Sequence, residues 1–277
     1  MNHPFAFTLT RNRYKKPREL DLVVASLSRE DVAWVDKFLP QAWTKKIYVI
    51  DDVEALLTVP KNKGREAMVY LTYIINHYDD LPDNIHNDDP NYDALPALSN
   101  LQIPYLQEAG YVNLRCAWVI GCPAEIRPMF DEERTHDAEP MTKHIYRKAF
   151  EDLFPDLSVP DIVAVSCCSQ FAVSRETIQR RPKNEYMFFR RWLLDTPLAD
   201  DLTGRVFEFS WHIIFGKEPV HCPSASECYC KTFGICDMEC LVDACQDRYL
   251  LPPFSTLPGG WPKIGWDGEG RDFLGPL

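Results

Sequence analysis

The sequence is short of positive charge. Against 41 Asp and Glu it carries 30 Lys and Arg, a net charge of −11. A surface of that sign repels phosphate backbones and anionic headgroups, so nucleic acid is not expected as a partner. The one basic stretch, RNRYKKPR at 11–18, reads as an unpacked N-terminal arm. There is also no apolar run of about 18 residues, so no membrane span is expected. The first 20 residues hold no continuous apolar core and no small-residue cleavage site. A signal peptide is therefore not expected, and the cytoplasm is the expected compartment. Internal repeats are missing, as are GxSxG, HExxH and GxGxxG. That removes the hydrolase nucleophile elbow, the zinc-protease helix and the dinucleotide fingerprint.

What is present is enough apolar material for a sizeable core, 45% of 277 residues. LDLVVASLS (20–28) reads as a buried strand, and REDVAWVDKFL as a helix with Ser28 as its cap. KKIYVIDD (45–52) reads as a second strand that ends in two acids. REAMVYLTYIINHY (65–78) has helical spacing and is apolar nearly all round, which predicts burial on every side. Strand, helix, strand, helix opens an α/β fold with a mainly parallel central sheet. Farther on, PDIVAVSCCSQFAVS (160–174) reads as a central strand and its exit. RETIQRRPKNEYMFFRRWLLDT reads as helices broken at Pro182, and GRVFEFSWHIIFG (204–216) as one buried helix. This divides the chain into a basic arm (1–18), an α/β domain (19–220), a Cys-rich cap (221–252) and a Gly/Pro-rich tail (253–277).

Ten cysteines are many for a cytosolic chain, and six of them, Cys222, Cys228, Cys230, Cys236, Cys240 and Cys245, crowd into the cap. Three readings stand: a disulfide knot, which would imply a secretory lumen; one zinc held by Cys228, Cys230, Cys236 and Cys240; or free thiols. Cys167 and Cys168 have apolar flanks, which predicts burial and no reactive thiolate.

Four clusters have chemical potential. Glu208 and His212 are four apart, on one face of the expected helix, where a carboxylate orients an imidazole or shares a metal with it. Asp51 and Asp52 end a strand on the side where open α/β sheets bind ligands. NKGREA (62–67) sets Gly64 and Arg65 before a helix N-terminus, the makings of an anion corner without P-loop spacing. Residues 77–93 hold six aspartates and two histidines, among them His86, Asp88 and Asp89. That is a set of oxygen ligands for a hard cation, or a solvated acidic turn bent at Pro90.

The succession ELDLVVASLSREDVAWV, NKGREAMVYLTYIINHYDDLPD, HNDDPNYDALPALSNLQ, GYVNLRCAWVIGCPAEI, VSCCSQFAVSRETI, GRVFEFSWHIIFG and ECYCKTFGICDMEC with RYLLPP resembles domain-of-unknown-function family 3431 of fungi, over about residues 20–252. The resemblance implies a glycosyltransferase A-like fold with a nucleotide-binding first half. It would put Ser26 at a base pocket, Asp51 or Asp52 at a nucleoside, Glu208 where a base acts and His212 at a metal. It also implies a strand between LPD and HNDDP that carries the metal-binding acids. Here LPD (81–83) runs almost directly into IHNDDP, about a dozen residues short of the family pattern, so that strand is expected to be missing.

Two functions follow. Family members occur beside fungal specialised-metabolite genes, and a missing metal strand favours a cofactor-free cyclase of Diels–Alder type acting on an apolar terpenoid small molecule. Such an enzyme needs a shaped pocket and a hydrogen-bond donor rather than a metal. Arg65, Arg115, Tyr111 or His212 would donate, and Trp118, Trp192, Phe209 and Trp211 would line the pocket with Tyr111. The alternative is a glycosyltransferase that uses a nucleotide sugar with Mn or Mg, held by Asp88, Asp89 and His86.

Overall fold

The computed structural model describes residues 20–38, 43–88, 100–116, 118, 121–131, 141–234 and 236. The opening follows the expected order: β1 (Leu20–Ser26), α1 (Ala33–Phe38), β2 (Thr44–Val49) and α2 (Glu66–His77). Next comes β3 (Asn84–Asp88), a strand where none is expected. After it lie α3 (Ile103–Ala109), β4 (Tyr111–Asn113), α4 (Pro128–Asp131) and α5 (Thr142–Leu153). The second half holds β5 (Ala164–Val165), β6 (Phe171–Ser174), α6 (Arg175–Gln179), α7 (Lys183–Asp195) and α8 (Asp200–Glu208). It ends with α9 (Trp211–Ile214), β7 (Val220–His221) and α10 (Ala225–Phe233).

The main sheet has the order β2-β1-β3-β6-β4. β1 runs parallel to β2 and to β3, while β6 is antiparallel to both β3 and β4. The α/β class holds, but the sheet is mixed rather than mainly parallel. Both faces are covered, as the strand period of two shows. Val23, Phe171 and Val173 enter the core beneath α2, whereas Leu22, Val24, Ala172 and Val112 enter a second core with Leu106 of α3 and Phe233 of α10.

α2 is the centre of the larger core. Nine of its twelve residues, Ala67 through Ile75, are buried, and it packs on β1, α7 and α8. One of its polar groups is matched from the sheet: the Tyr73 hydroxyl donates to Oδ2 of the buried Asp21, 2.7 Å away. A buried carboxylate is costly unless hydrogen-bonded, so this contact fixes α2 against β1.

Three expected elements differ. The run 160–174 splits into β5 and β6, separated by a turn through Cys167 and Cys168. The helix expected at 204–216 is two helices. At the break the Tyr146 hydroxyl of α5 donates to the Phe209 carbonyl at 2.8 Å, and Ser210 Oγ folds back onto the Val206 carbonyl at 2.6 Å. Ser28 caps no helix; its N–H and hydroxyl both donate to Asp51.

Among the described residues, two disulfides tie the cap to distant segments and one lies within the cap. Cys116 bonds Cys228, Cys122 bonds Cys222, Cys230 bonds Cys236, and Cys167 bonds its neighbour Cys168. Three of the four expected zinc ligands are thereby taken, and Cys240 and Cys245 lie outside the described residues. Disulfides of this kind form in oxidising compartments, which argues against the cytoplasmic expectation. No described helix is long and apolar enough to cross a membrane.

The Cys122–Cys222 bond closes a loop of 100 residues. Because Cys116–Cys228 encloses it, the further ring that it closes runs only through 116–122 and 222–228, about 14 residues, for which chain entropy assigns about 3 kcal/mol. The C122A/C222A variant should lose stability of that order in urea unfolding, and a loss under about 1 kcal/mol would show that the bond constrains little.

Candidate functional site

One cleft of about 490 Å³ opens at the carboxyl ends of β1 and β2 and the start of α2. Ser26, Arg29, Glu30, Asn62, Arg65, Glu66 and Asp200 supply its polar lining, and Ala25, Leu27 and Ile50 its apolar lining. In an open sheet this is where chain direction leaves room for a ligand.

Its walls are fixed by hydrogen bonds between loops. The Ile50 N–H donates to the Ser26 carbonyl at 3.0 Å, continuing the β1–β2 ladder past the strands. Ser26 Oγ donates to the Tyr48 carbonyl at 3.2 Å. Asp51 accepts the Ser28 N–H at 2.7 Å and the Ser28 hydroxyl at 2.9 Å, which clips the two loops together. The same bonds hold its carboxyl below the usual range, the Ser28 N–H first. Asp52 accepts the Glu54 N–H at 2.9 Å. Both acids therefore shape loops beside the cleft.

The NKGREA corner forms the opposite wall. Gly64 and Arg65 take φ of +71° and +52°, two successive left-handed residues that turn the chain sharply into α2. Gly64 is required there: a Cβ would lie 2.5 Å from Leu193 Cδ1. Its N–H donates to Asp200 Oδ1 at 3.1 Å, and Lys63 Nζ donates to the Thr196 carbonyl, so the corner is tied to α7 and α8. Arg65 lies along α8 over Gly204, where an added Cβ would come within 3.1 Å of its side chain. Glycine at 204 thus makes room for an arginine that reaches the cleft from an exposed position. Two guanidinium groups, Arg29 and Arg65, and the first turn of a twelve-residue helix offer donors to an anionic group, beside three carboxylates, Glu30, Glu66 and Asp200, of which Glu30 and Asp200 accept the Leu27 and Gly64 N–H groups.

β3 ends beside this region. Asp88, its last residue, pairs in register with Val24 of β1, two residues before Ser26. His86 pairs with Leu22 on one side and Ala172 on the other. The expected gap in the sheet is therefore filled, by the acidic segment itself. Asp89 lies outside the described residues.

Glu208 and His212 are not hydrogen-bonded to each other. The helix break separates them, and each has its own partner. Glu208 Oε1 accepts the Cys168 N–H at 2.6 Å, and burial raises its pKa. His212 is fully buried, with Nε2 3.0 Å from the Pro219 carbonyl and its ring stacked on His221 at 6.4 Å. Arg115 Nη1 donates to Cys168 Sγ at 3.3 Å. The aromatic candidates are not lining residues of the cleft. Tyr111 and Trp211 meet through Phe171 and Phe215 in a filled core, where Phe209 is also buried. Trp118 donates its indole N–H to the Pro223 carbonyl at 2.7 Å, and Trp192 packs edge-on against Phe207. Of the expected donors, only Arg65 reaches the cleft. Arg29 and Asp200 join it without any local sequence signal: one sits in a loop, the other at a helix start remote in sequence.

The two histidines give a pH signature. Burial pushes both His212 and His221 down to about 4, against about 6.5 in the unfolded chain. Below pH 6.5 the unfolded chain takes up protons that the folded chain refuses. Their stabilising effect is thus complete above about pH 6.5 and is lost as pH falls toward about 4. The loss should be about 2–3 kcal/mol per histidine, with Glu208 titrating in the opposite sense. Urea midpoints between pH 7 and 4.5 should fall less steeply for His221→Gln than for the wild type. Equal slopes would contradict a buried, neutral pair.

No curated protein and no solved structure matches the chain. The chain belongs to the family described as protein of unknown function DUF3431, whose pattern it matches over residues 22–231.

Proposed function

We propose that the protein binds a nucleoside-diphosphate donor in the cleft and transfers its sugar, the glycosyltransferase reading of the two. The observation that carries it is the junction of three features at one end of the sheet: the Arg29–Arg65 cleft, the α2 N-terminus and the last residue of β3, Asp88. A missing metal-bearing strand favours a metal-free cyclase, and β3 stands in that place.

In this reading Arg65 binds the diphosphate through charge-assisted hydrogen bonds and stabilises the charge that grows on the leaving phosphate. Gly64 and Gly204 hold that arginine where it is needed, one through the turn and the other by giving it room. Ser26 and the clipped 26–28 loop face the nucleoside. Asp88, a carboxylate at the strand end, has the hard oxygen donors that suit Mg or Mn, and such an ion would offset diphosphate charge. The four disulfides agree with work in an oxidising compartment.

Ala25, Leu27 and Ile50 also line the cleft, and they favour the second reading. That reading is a cofactor-free Diels–Alder-type cyclisation of an apolar terpenoid, norbornene formation being one such reaction. It needs no metal.

Calorimetric titration with UDP and GDP, each with and without Mn, separates the two. The expected result is metal-dependent binding of one nucleotide, weakened about tenfold or more by Arg65→Ala, a loss of about 1.4 kcal/mol. Asp88→Asn should abolish the metal dependence. Binding of neither nucleotide, with turnover of a terpenoid diene unaffected by EDTA, would overturn the glycosyltransferase reading.

A further inference from the structure

The Cys167–Cys168 disulfide has no evident structural purpose. The Cys116–Cys228 and Cys122–Cys222 bonds join segments 112 and 100 residues apart. A bond between neighbours, with a separation of 1, closes no loop and so removes almost no entropy from the unfolded chain. The local backbone pays for it as well. Cys168 and Ser169 have φ of +86° and +49°, both in the left-handed region that disfavours L residues. Strained backbone that stabilises nothing gathers where chemistry is done.

The surroundings point to that chemistry. Cys167 is buried and Cys168 only partly, so one sulfur can be approached. Glu208 holds the turn by accepting the Cys168 N–H, and its carboxylate and both sulfurs lie within 4.8 Å of one another. Arg115 Nη1 rests 3.3 Å from Cys168 Sγ. Ser169 Oγ is buried with no hydrogen-bond partner among the described residues.

We propose that Cys167 and Cys168 are a reducible pair which, once reduced, joins Glu208 in chelating a thiophilic divalent cation of the zinc class. A dithiol reductant gives two electrons and two protons to the S–S bond, leaving two thiols and an oxidised reductant. The cation then displaces both thiol protons to solvent and takes two thiolates and one carboxylate oxygen, with an open position left for water or a small ligand. This site is separate from the cleft: soft sulfur selects zinc, whereas a diphosphate site selects a hard ion.

The full-length protein tests it. Tris(2-carboxyethyl)phosphine reduces the bond, its phosphorus taking oxygen from water, and is then removed without air. Zinc is titrated against a chromogenic chelator into the wild type and the C167S/C168S variant, both reduced and both checked for folding by circular dichroism. The wild type should bind one equivalent more, and Glu208→Gln should weaken that equivalent about tenfold or more. Cobalt in place of zinc should give a thiolate charge-transfer band. A second measurement needs no variant: bound zinc should protect Cys167 and Cys168 from iodoacetamide, read by peptide mass. Equal zinc uptake by wild type and C167S/C168S, or equal alkylation of the pair with and without zinc, would overturn the proposal.

Discussion

A helix that is apolar on nearly every side has to be covered on every side. α2 meets that demand with β1 beneath it and α7 and α8 around it, and its Tyr73 hydroxyl is anchored on the buried Asp21 of β1. Much of the rest follows. The chain has to enter α2 from the surface through a tight corner, and that corner uses two left-handed residues, Gly64 and Arg65. The corner falls at the carboxyl ends of β1 and β2. The burial that stabilises the core therefore also aims a helix N-terminus and an arginine at one cleft.

The disulfides hold a different part of the molecule. Cys116–Cys228 and Cys122–Cys222 tie the segment after β4 to α10 and to the end of β7, the first of them within the second core where Leu106, Val112 and Phe233 meet. They lie away from the cleft residues, so the cleft depends on hydrogen bonds between loops and the second face on covalent bonds. The vicinal pair belongs to neither scheme. It sits at the turn between β5 and β6, fastened to the end of α8 by Glu208.

How much of this was legible in the sequence depended on whether periodicity carried it. α2 was readable because its apolar spacing is helical and unbroken, and the NKGREA corner because glycine and charge precede it. β3 was not: NIHND has one apolar residue, and it is a strand because β1 and β6 pair with it on both sides, a tertiary effect that outweighs propensity. The break between α8 and α9 was hidden because the apolar pattern continues through it; a tyrosine from α5 makes the break. The cysteine partners of the cap were hidden too, since Cys116 and Cys122 lie about a hundred residues away. Aromatic residues gave the least guidance. A large apolar ring is as ready to fill a core as to line a pocket, and Phe209 and Trp211 fill the core.

The central claim is that the cleft between the 26–30 loop and the 62–66 corner is where the anionic donor binds. Hydrogen–deuterium exchange with a saturating nucleoside diphosphate and Mn addresses that location most directly. The account predicts slowed exchange at the amides of 27–30 and 62–67, with the β5–β6 turn unchanged. Protection confined to other segments, or none at a nucleotide concentration that saturates binding, would contradict it.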